Sequence, residues 1–269
     1  MHNRSLLALA LSSVVLLSAC VHSKPSTETF SWKGPVKSEG WLRLRNVTGD
    51  FEITQGTGDS AEIQFVIERS NSYAPTARVK VLQEADGVIA CVLYGDRDDN
   101  TCSADEYKGG NTSRYRGPSF MRGSTSVHGT VVLPRGVKLD AESTNGDISV
   151  ESVSSQMQIA TTNGDINVRG ATQSVKITTT NGDIDLGVDA LGSGLTIETT
   201  NGDVAVELPT SLNAALSMHT ANGALDLGFP GNITSKTAKQ ILATLGSGGS
   251  PINITTTNGD IALRPRGQP

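Results

Sequence analysis

The chain has 269 residues, with 22 Lys and Arg against 27 Asp and Glu, and its formal net charge of −5 gives no electrostatic basis for a nucleic-acid partner. Residues 1–139 hold 16 basic and 14 acidic side chains, whereas residues 140–269 hold 6 and 13. Ten aromatic residues lie between Phe30 and Phe120 and one more, Phe229, follows, so the second half must build its core from aliphatic side chains.

In chain order, a short basic start (Met1-His2-Asn3-Arg4) precedes an apolar stretch from Leu6 to Leu17. That stretch is too short to span a bilayer, and residues 1–19 read as a signal peptide. Its end, Leu17-Ser18-Ala19-Cys20, resembles the lipobox of bacterial lipoproteins, in which the cysteine is lipidated and becomes the first residue of the mature chain. The resemblance implies lipidation of Cys20 and attachment to a membrane through that anchor. Several acyl chains on one residue exceed the marginal, reversible binding of a single chain. Val21 stands where an Asp would suggest retention in the inner membrane, so the same resemblance implies an outer-membrane lipoprotein of the Gram-negative envelope. Residues 20–29 are polar and read as a tether.

From Phe30 to residue 130, runs such as Trp41–Arg45, Ala61–Ile67, Ala77–Leu82 and Val88–Tyr94 alternate with turn signals and predict strands. This region reads as an N-terminal β-sandwich-like or solenoid-like cap, which would blunt the exposed edge of whatever follows. Cys91 and Cys102 form an even pair in an exported chain, which predicts a disulfide serving as a staple. Residues 95–123 show neither helical nor strand periodicity and read as a flexible loop. Asp96, Asp98, Asp99 and Asn100 fail the spacing of a calcium loop, since Thr101 and Tyr107 occupy the positions of the required Gly and Glu. Arg114, Tyr115 and Arg116, with Lys108, Phe120 and Arg122 nearby, mix cations with rings and are candidates for contact with an anionic glycan or a lipid headgroup.

Residues 131–265 are organised by a repeat. The triplets Asn145-Gly146-Asp147, Asn163-Gly164-Asp165, Asn181-Gly182-Asp183, Asn201-Gly202-Asp203 and Asn258-Gly259-Asp260 recur, with a variant Asn222-Gly223-Ala224 and a degenerate copy at Thr48-Gly49-Asp50. The intervals from Asn145 are 18, 18, 20, 21 and 36 residues, and the last predicts one turn whose signature is lost between Asn222 and Asn258. Each triplet follows a segment such as Ile177-Thr-Thr-Thr and precedes one such as Ile184-Asp-Leu, so each unit is strand, turn, strand with period-two alternation. Asn-Gly suits a two-residue hairpin turn, which would give a sandwich of hairpins. Near-constant spacing of identical triplets instead favours stacked coils, and the predicted fold is all-β, a right-handed β-solenoid of about seven coils of roughly 18–21 residues. Residues 235–245 fit either a short amphipathic helix or, from Ile241, Ala243 and Leu245, a strand continuing the solenoid.

The repeated aspartates invite a metal or catalytic reading. Neighbouring carboxylates repel by only about 1 kcal/mol in water, whereas a bond from Asp to a turn amide is worth roughly 1.5–3 kcal/mol, so capping of the corner accounts for them without a metal. A residue copied into nearly every coil also lacks the distinct environment that separates an acid from a base. His22, His128 and His219 stand apart, and neither a Gly-x-Ser-x-Gly elbow nor a nucleotide loop occurs. No catalytic residue, metal ligand or cofactor is assigned.

The segments Val131–Val150 and Leu245–Leu263, which carry the first and last triplets with their flanking strands, resemble the bacterial putative adhesin domain family of envelope proteins with Asn-Gly-Asp repeats. The resemblance spans about Phe30 to Leu263 and implies a structural or adhesive, non-enzymatic role, with envelope proteins or anionic glycans as partners. It brings no catalytic residues. The competing reading is a β-helical polysaccharide lyase or glycosidase, or a glycan-binding module, and the aromatic-poor repeats weigh against it.

Overall fold

A computed structural model describes residues 24–95, 100–114 and 122–266, and no helix occurs among them. The chain begins with β1 (Ser26–Pro35), β2 (Trp41–Arg45), β3 (Phe51–Gln55), β4 (Ser60–Arg69), β5 (Ala77–Glu84) and β6 (Gly87–Tyr94). Three short strands, β7 (Thr101–Cys102), β8 (Tyr107–Lys108) and β9 (Ser113–Arg114), precede the long β10 (Gly123–Leu133). The repeats supply β11 (Lys138–Asn145), β12 (Ile148–Glu151), β13 (Met157–Asn163), β14 (Ile166–Ala171), β15 (Val175–Asn181) and β16 (Ile184–Val188). They continue with β17 (Leu195–Asn201), β18 (Val204–Leu208), β19 (Ala214–Asn222) and β20 (Leu225–Leu227). Last come β21 (Asn232–Lys236), β22 (Gln240–Leu245), β23 (Ser250–Asn258) and β24 (Ile261–Pro265).

Two long sheets face each other across one core. The first runs β1-β4-β10-β3-β12-β14-β16-β18-β24-β20, with β9 beside β10, and the second runs β21-β22-β19-β23-β17-β15-β13-β11-β2-β6-β5. Hairpins would pair each strand antiparallel with the next in sequence. Here β13 pairs parallel with β11 and β15, and β14 pairs parallel with β12 and β16. Each strand–corner–strand unit is thus one coil crossing from the second sheet to the first. Period-two alternation follows from the pleat: Met157, Ile159, Ile166 and Val168 point inward from one coil, and Val175, Ile177, Ile184 and Leu186 occupy the same columns on the next. Three aromatic rings meet at one end, where Phe30, Phe51 and Phe65 pack across β1, β3 and β4, and Phe229, after β20, is buried at the other.

The region before β11 continues both sheets. Thr48-Gly49-Asp50 is the corner of a coil formed by β2 and β3, which pair parallel with β11 and β12. Beyond that coil the first sheet ends in antiparallel β10, β4 and β1, and the second in β6 and antiparallel β5. Residues 100–110 lie over the outer face of β6. Cys91 is bonded to Cys102 with Cα atoms 6.0 Å apart, and Ile89, Cys91 and Leu93 form a small second core with Leu82, Cys102 and Tyr107.

β1 begins at Ser26, inside the span read as a tether, β7, β8 and β9 lie inside the span read as a flexible loop, and the expectation of a lost coil is overturned. Residues 223–257 contain no coil with a lost signature. They include the antiparallel strands β21 and β22, and β22 packs antiparallel on β19. Ile241, Ala243 and Leu245 do lie on a buried strand face, but as a terminal hairpin and not as a further parallel rung. The final coil, β23 and β24, then returns between the two preceding coils, with β23 parallel to both β17 and β19. Sequence spacing missed this because an interval of 36 residues records chain length and not position in the stack.

The strap over β6 closes a short loop of sequence separation 11. Replacing both cysteines with alanine should therefore cost about 2–3 kcal/mol by the loop-entropy argument, read as a lower urea midpoint with little change in the slope of the transition.

Candidate functional site

The feature repeated along the molecule is the corner where each coil passes from the second sheet to the first. In spatial order the asparagines run Asn145, Asn163, Asn181, Asn201, Asn258 and Asn222. Each Nδ2 donates to the Oδ1 of the one before, at 2.8–2.9 Å throughout. Asn145, whose neighbouring coil has Thr48 in place of Asn, donates to the Val47 carbonyl at 3.3 Å. The backbone N–H of each following glycine donates to the Asn carbonyl of the next coil, as Gly164 does to Asn181 at 3.0 Å.

Aspartate closes the corner differently from an ordinary turn cap. Asp147 N–H donates to Asp50 Oδ1, Asp165 to Asp147, Asp183 to Asp165, Asp203 to Asp183 and Asp260 to Asp203, at 2.7–2.9 Å. Each carboxylate thus accepts from the amide of the adjacent coil. The variant triplet is explained by its place: Ala224 N–H donates to Asp260 Oδ1 at 2.7 Å, and this corner is the last in the column, with no further corner amide to accept from. At the opposite end Asp50 Oδ2 lies 3.2 Å from His128 Nδ1.

Glycine is fixed by crowding. A Cβ at Gly146, Gly164, Gly182, Gly202, Gly259 or Gly223 would sit 1.9–2.2 Å from the carbonyl oxygen of the stacked glycine. Those carbonyls also accept from buried hydroxyls one coil along: Thr161 to Gly146, Thr179 to Gly164, Thr256 to Gly202 and Thr220 to Gly259. Thr199 occupies the same column, but its hydroxyl has no partner. The asparagines are not in the left-handed conformation that a type I′ turn demands, since only Glu39 and Ser152 among the described non-glycine residues have positive φ.

The column offers little to a reacting molecule. The aspartates of the five repeated triplets are exposed and make the same contact with the adjacent coil, while Asp50 at the end of the column is half-buried beside His128. Among the described residues no group of three or more His, Cys, Asp or Glu could hold a metal ion. Of the other predicted positions, Cys20, Tyr115 and Arg116 lie outside the described residues, as do Asp96, Asp98 and Asp99. Arg114 ends β9, which pairs antiparallel with β10.

Two polar networks were not read from the sequence. On the outer face of the second sheet, Arg45 makes a two-pronged contact with Asp140 at 2.9 and 2.6 Å and reaches Glu142 at 3.3 Å. Arg43 makes a similar fork with Asp86 at 2.9 and 2.6 Å, approaches Glu84 at 3.5 Å and lies 5.7 Å from the Trp41 ring. Arg43 and Arg45 are only 9% and 6% exposed, so their charges must be paired. The Arg43 fork holds the Asp86 carboxyl below its ordinary range. The Trp-Leu-Arg-Leu-Arg alternation was the available signal, because it puts two cations on one strand face, but their partners come from β11, the end of β5 and the turn after it. The second network seals the first corner. Buried Asn46 donates to Val127 O at 2.7 Å and accepts from Tyr94 Oη at 2.7 Å. Burial pushes the Tyr94 and Tyr107 phenols well above the usual tyrosine range, so both remain donors.

Two adjoining open grooves border β1, β4 and the 56–60 turn. The larger, ≈ 460 Å³, is lined by Trp32, Lys33, Glu62 and Gln64 among others, and the smaller, ≈ 290 Å³, adds Asp59. Glu62 is paired with Lys33 at 2.6 Å.

Residues 116–264 match the family model described as Toastrack DUF4097. No curated protein matches the chain. Among solved structures it is similar to a putative cell adhesion protein from Clostridium sporogenes ATCC 15579, with a TM-score of 0.45 and 12% identity over 89% of this chain and 100% of that one. It is also similar to a putative adhesin from Bacteroides fragilis NCTC 9343, with a TM-score of 0.39 and 12% identity over 90% of this chain and 99% of that one.

Gly182→Ala places a Cβ 1.9 Å from Gly164 O and should cost about 3 kcal/mol or more, whereas Gly187→Ala meets nothing closer than 3.6 Å and should change stability by less than about 1 kcal/mol in denaturant titrations. Asp183→Ala removes the acceptor for Asp203 N–H and should cost about 1 kcal/mol, while Asp183→Asn retains Oδ1 and most of that stability. Ala224→Asp, at the end of the column, should stay within about 0.5 kcal/mol of the parent.

Proposed function

We propose that this chain, which belongs to the Toastrack DUF4097 family, is a lipid-anchored protein of the cell envelope whose β-repeat serves a structural or adhesive role without catalysis. The single observation that carries this reading is the corner ladder: the side chains present in nearly every coil are engaged with the neighbouring coil. A ladder of this kind gives length and stiffness, which a rod or spacer requires. It does not set one carboxylate apart from the rest, which hydrolysis of a glycosidic bond requires.

In this reading Cys20 carries the lipid, the outer membrane is the destination, and five residues, 21–25, separate the anchor from β1 at Ser26. The coils wind right-handed in steps of 18–21 residues, and the antiparallel strands at the β1 and β5 end cap them. Partners are envelope proteins or anionic glycans, with Arg114, Tyr115 and Arg116 as contact residues.

Membrane fractionation tests the anchor: the parent should sediment with membranes and require detergent for release, whereas Cys20→Ser should appear in the soluble envelope fraction. A Cys20→Ser chain that stays in the membrane would refute lipid attachment. Catalysis is tested separately by incubating the purified protein with acidic polysaccharides. Turnover lost in Asp59→Asn or Glu62→Gln, the carboxylates bordering the grooves, would establish the enzyme reading, and saturable binding without turnover supports adhesion.

A further inference from the structure

The last coil in sequence is not the last in space. Residues 250–265 sit between the coil of β17 and β18 and the coil of β19 and β20, in register with both: Ile252 faces Leu195 and Leu216, and Ile254 faces Ile197 and Met218. The connection that spans this inserted rung, residues 209–213, has five residues. The connection from β16 to β17, residues 189–194, has six and climbs only one rung. The chain between Asn201 and Asn222 is therefore long enough for their coils to stack directly.

The chemistry on the two sides of the inserted rung is also matched. Asn258 receives from Asn222 the bond it gives to Asn201, at 2.9 and 2.8 Å. Asp260 accepts from Ala224 N–H as Asp203 accepts from Asp260 N–H, both at 2.7 Å. Thr220 donates to Gly259 O as Thr256 donates to Gly202 O. With the rung withdrawn, Asn222 meets Asn201, Ala224 N–H meets Asp203, and Thr220 meets Gly202 O, so every corner donor regains an acceptor of the same kind.

The rung has a hinge and a latch. Gly246-Ser247-Gly248-Gly249 joins it to β22, and its three glycines have φ of 57°, 80° and 147°, values suited to a segment that must change direction. At the far end Arg266 N–H donates to Leu208 O at 2.8 Å, and the Arg266 side chain is paired with Asp189. Ser250 Oγ donates to Gly192 O at 2.7 Å.

We propose that residues 250–266 form an exchangeable rung, which leaves its slot about the 246–249 hinge and enters the same slot of a second copy of this chain. The partner is identified by the ladder itself, because the slot is complementary to a coil carrying Asn, Gly and Asp in register with apolar residues at alternate positions. Exchange of an identical segment between copies keeps all its contacts and is a low-cost route to assembly. Closure of the flanking coils lets the donor chain survive with its slot vacated.

Paired cysteines test it on the full chain. Glu198 and Thr255 face each other across β17 and β23, and both side chains are exposed. Chains carrying Glu198→Cys and chains carrying Thr255→Cys are co-expressed, oxidised mildly and run on non-reducing gels. The expected result is a covalent dimer containing one of each, increasing with concentration and absent when either variant is expressed alone. The double variant Glu198→Cys, Thr255→Cys reports the slot filled in cis. If it crosslinks within one chain while the mixture gives no dimer at any concentration, exchange is refuted. Closure has its own readout in Glu198→Cys with His219→Cys, positions held apart by β23 at two strand spacings, about 9.6 Å, too far for a disulfide. Slow formation of that internal bridge is expected, and its absence over days would overturn the closing step.

Discussion

Parallel coils stacked in register place equivalent atoms about 4.8 Å apart, and that repeat decides what each corner can contain. At the corner the backbone of one coil lies where a side chain of the next would begin, leaving 1.9–2.2 Å between a notional glycine Cβ and the stacked carbonyl. Glycine follows from this distance more than from turn conformation. Once glycine is fixed, the residues on either side face their own copies. A side chain that both donates and accepts can bond to itself along the column, which asparagine does. The amide after glycine points toward the preceding coil, and a carboxylate there receives it. The triplet is thus one solution to a packing problem, repeated because the problem repeats.

Electrostatics permits the carboxylate column. Successive aspartates repel, but they are exposed, so the repulsion is about 1 kcal/mol per pair in water and falls with salt. An amide donated to a carboxylate outweighs it. The buried charges obey a stricter rule. Arg43 and Arg45 lie beside the disulfide-held strap and are matched by Asp86, Asp140, Glu84 and Glu142, because an unpaired guanidinium at that depth would cost several kcal/mol. The two halves of the molecule therefore use charge in opposite ways: a solvated ladder along the repeats and a desolvated network near the β5 and β6 end.

Much of this was legible in the residues. The spacing of Asn145, Asn163, Asn181 and Asn201 gave coils because stacking preserves sequence intervals when successive coils are spatial neighbours. Thr48-Gly49-Asp50 was recognisable as a corner despite having lost its asparagine, since the glycine and aspartate meet constraints that the first corner shares. The inserted coil was illegible for the converse reason. Parallel pairing leaves no local mark of which coil lies beside which, and Asn258 looks the same whether it follows Asn222 or precedes it in space. The arginine network was hidden by distance in sequence: Arg45 and Asp140 are 95 residues apart, and nothing near either names the other.

A stack that is uniform along its axis cannot hold a localised site in its middle, because any group there has equivalents one rung away. Distinct chemistry can arise only where the uniformity is broken. Here the breaks are the β1 and β5 end, where antiparallel strands, aromatic packing, the strap and the grooves are gathered, and the far end, where Ala224 ends the carboxylate column and the last coil enters out of order. A ligand bound along the ladder would have to match its repeat over several rungs and would gain by extent. One bound at an end would meet a single arrangement of groups. The alanine in the final triplet separates these cases: a periodic ligand has no reason to leave the last corner without its carboxylate, whereas an intramolecular cap has no use for one there.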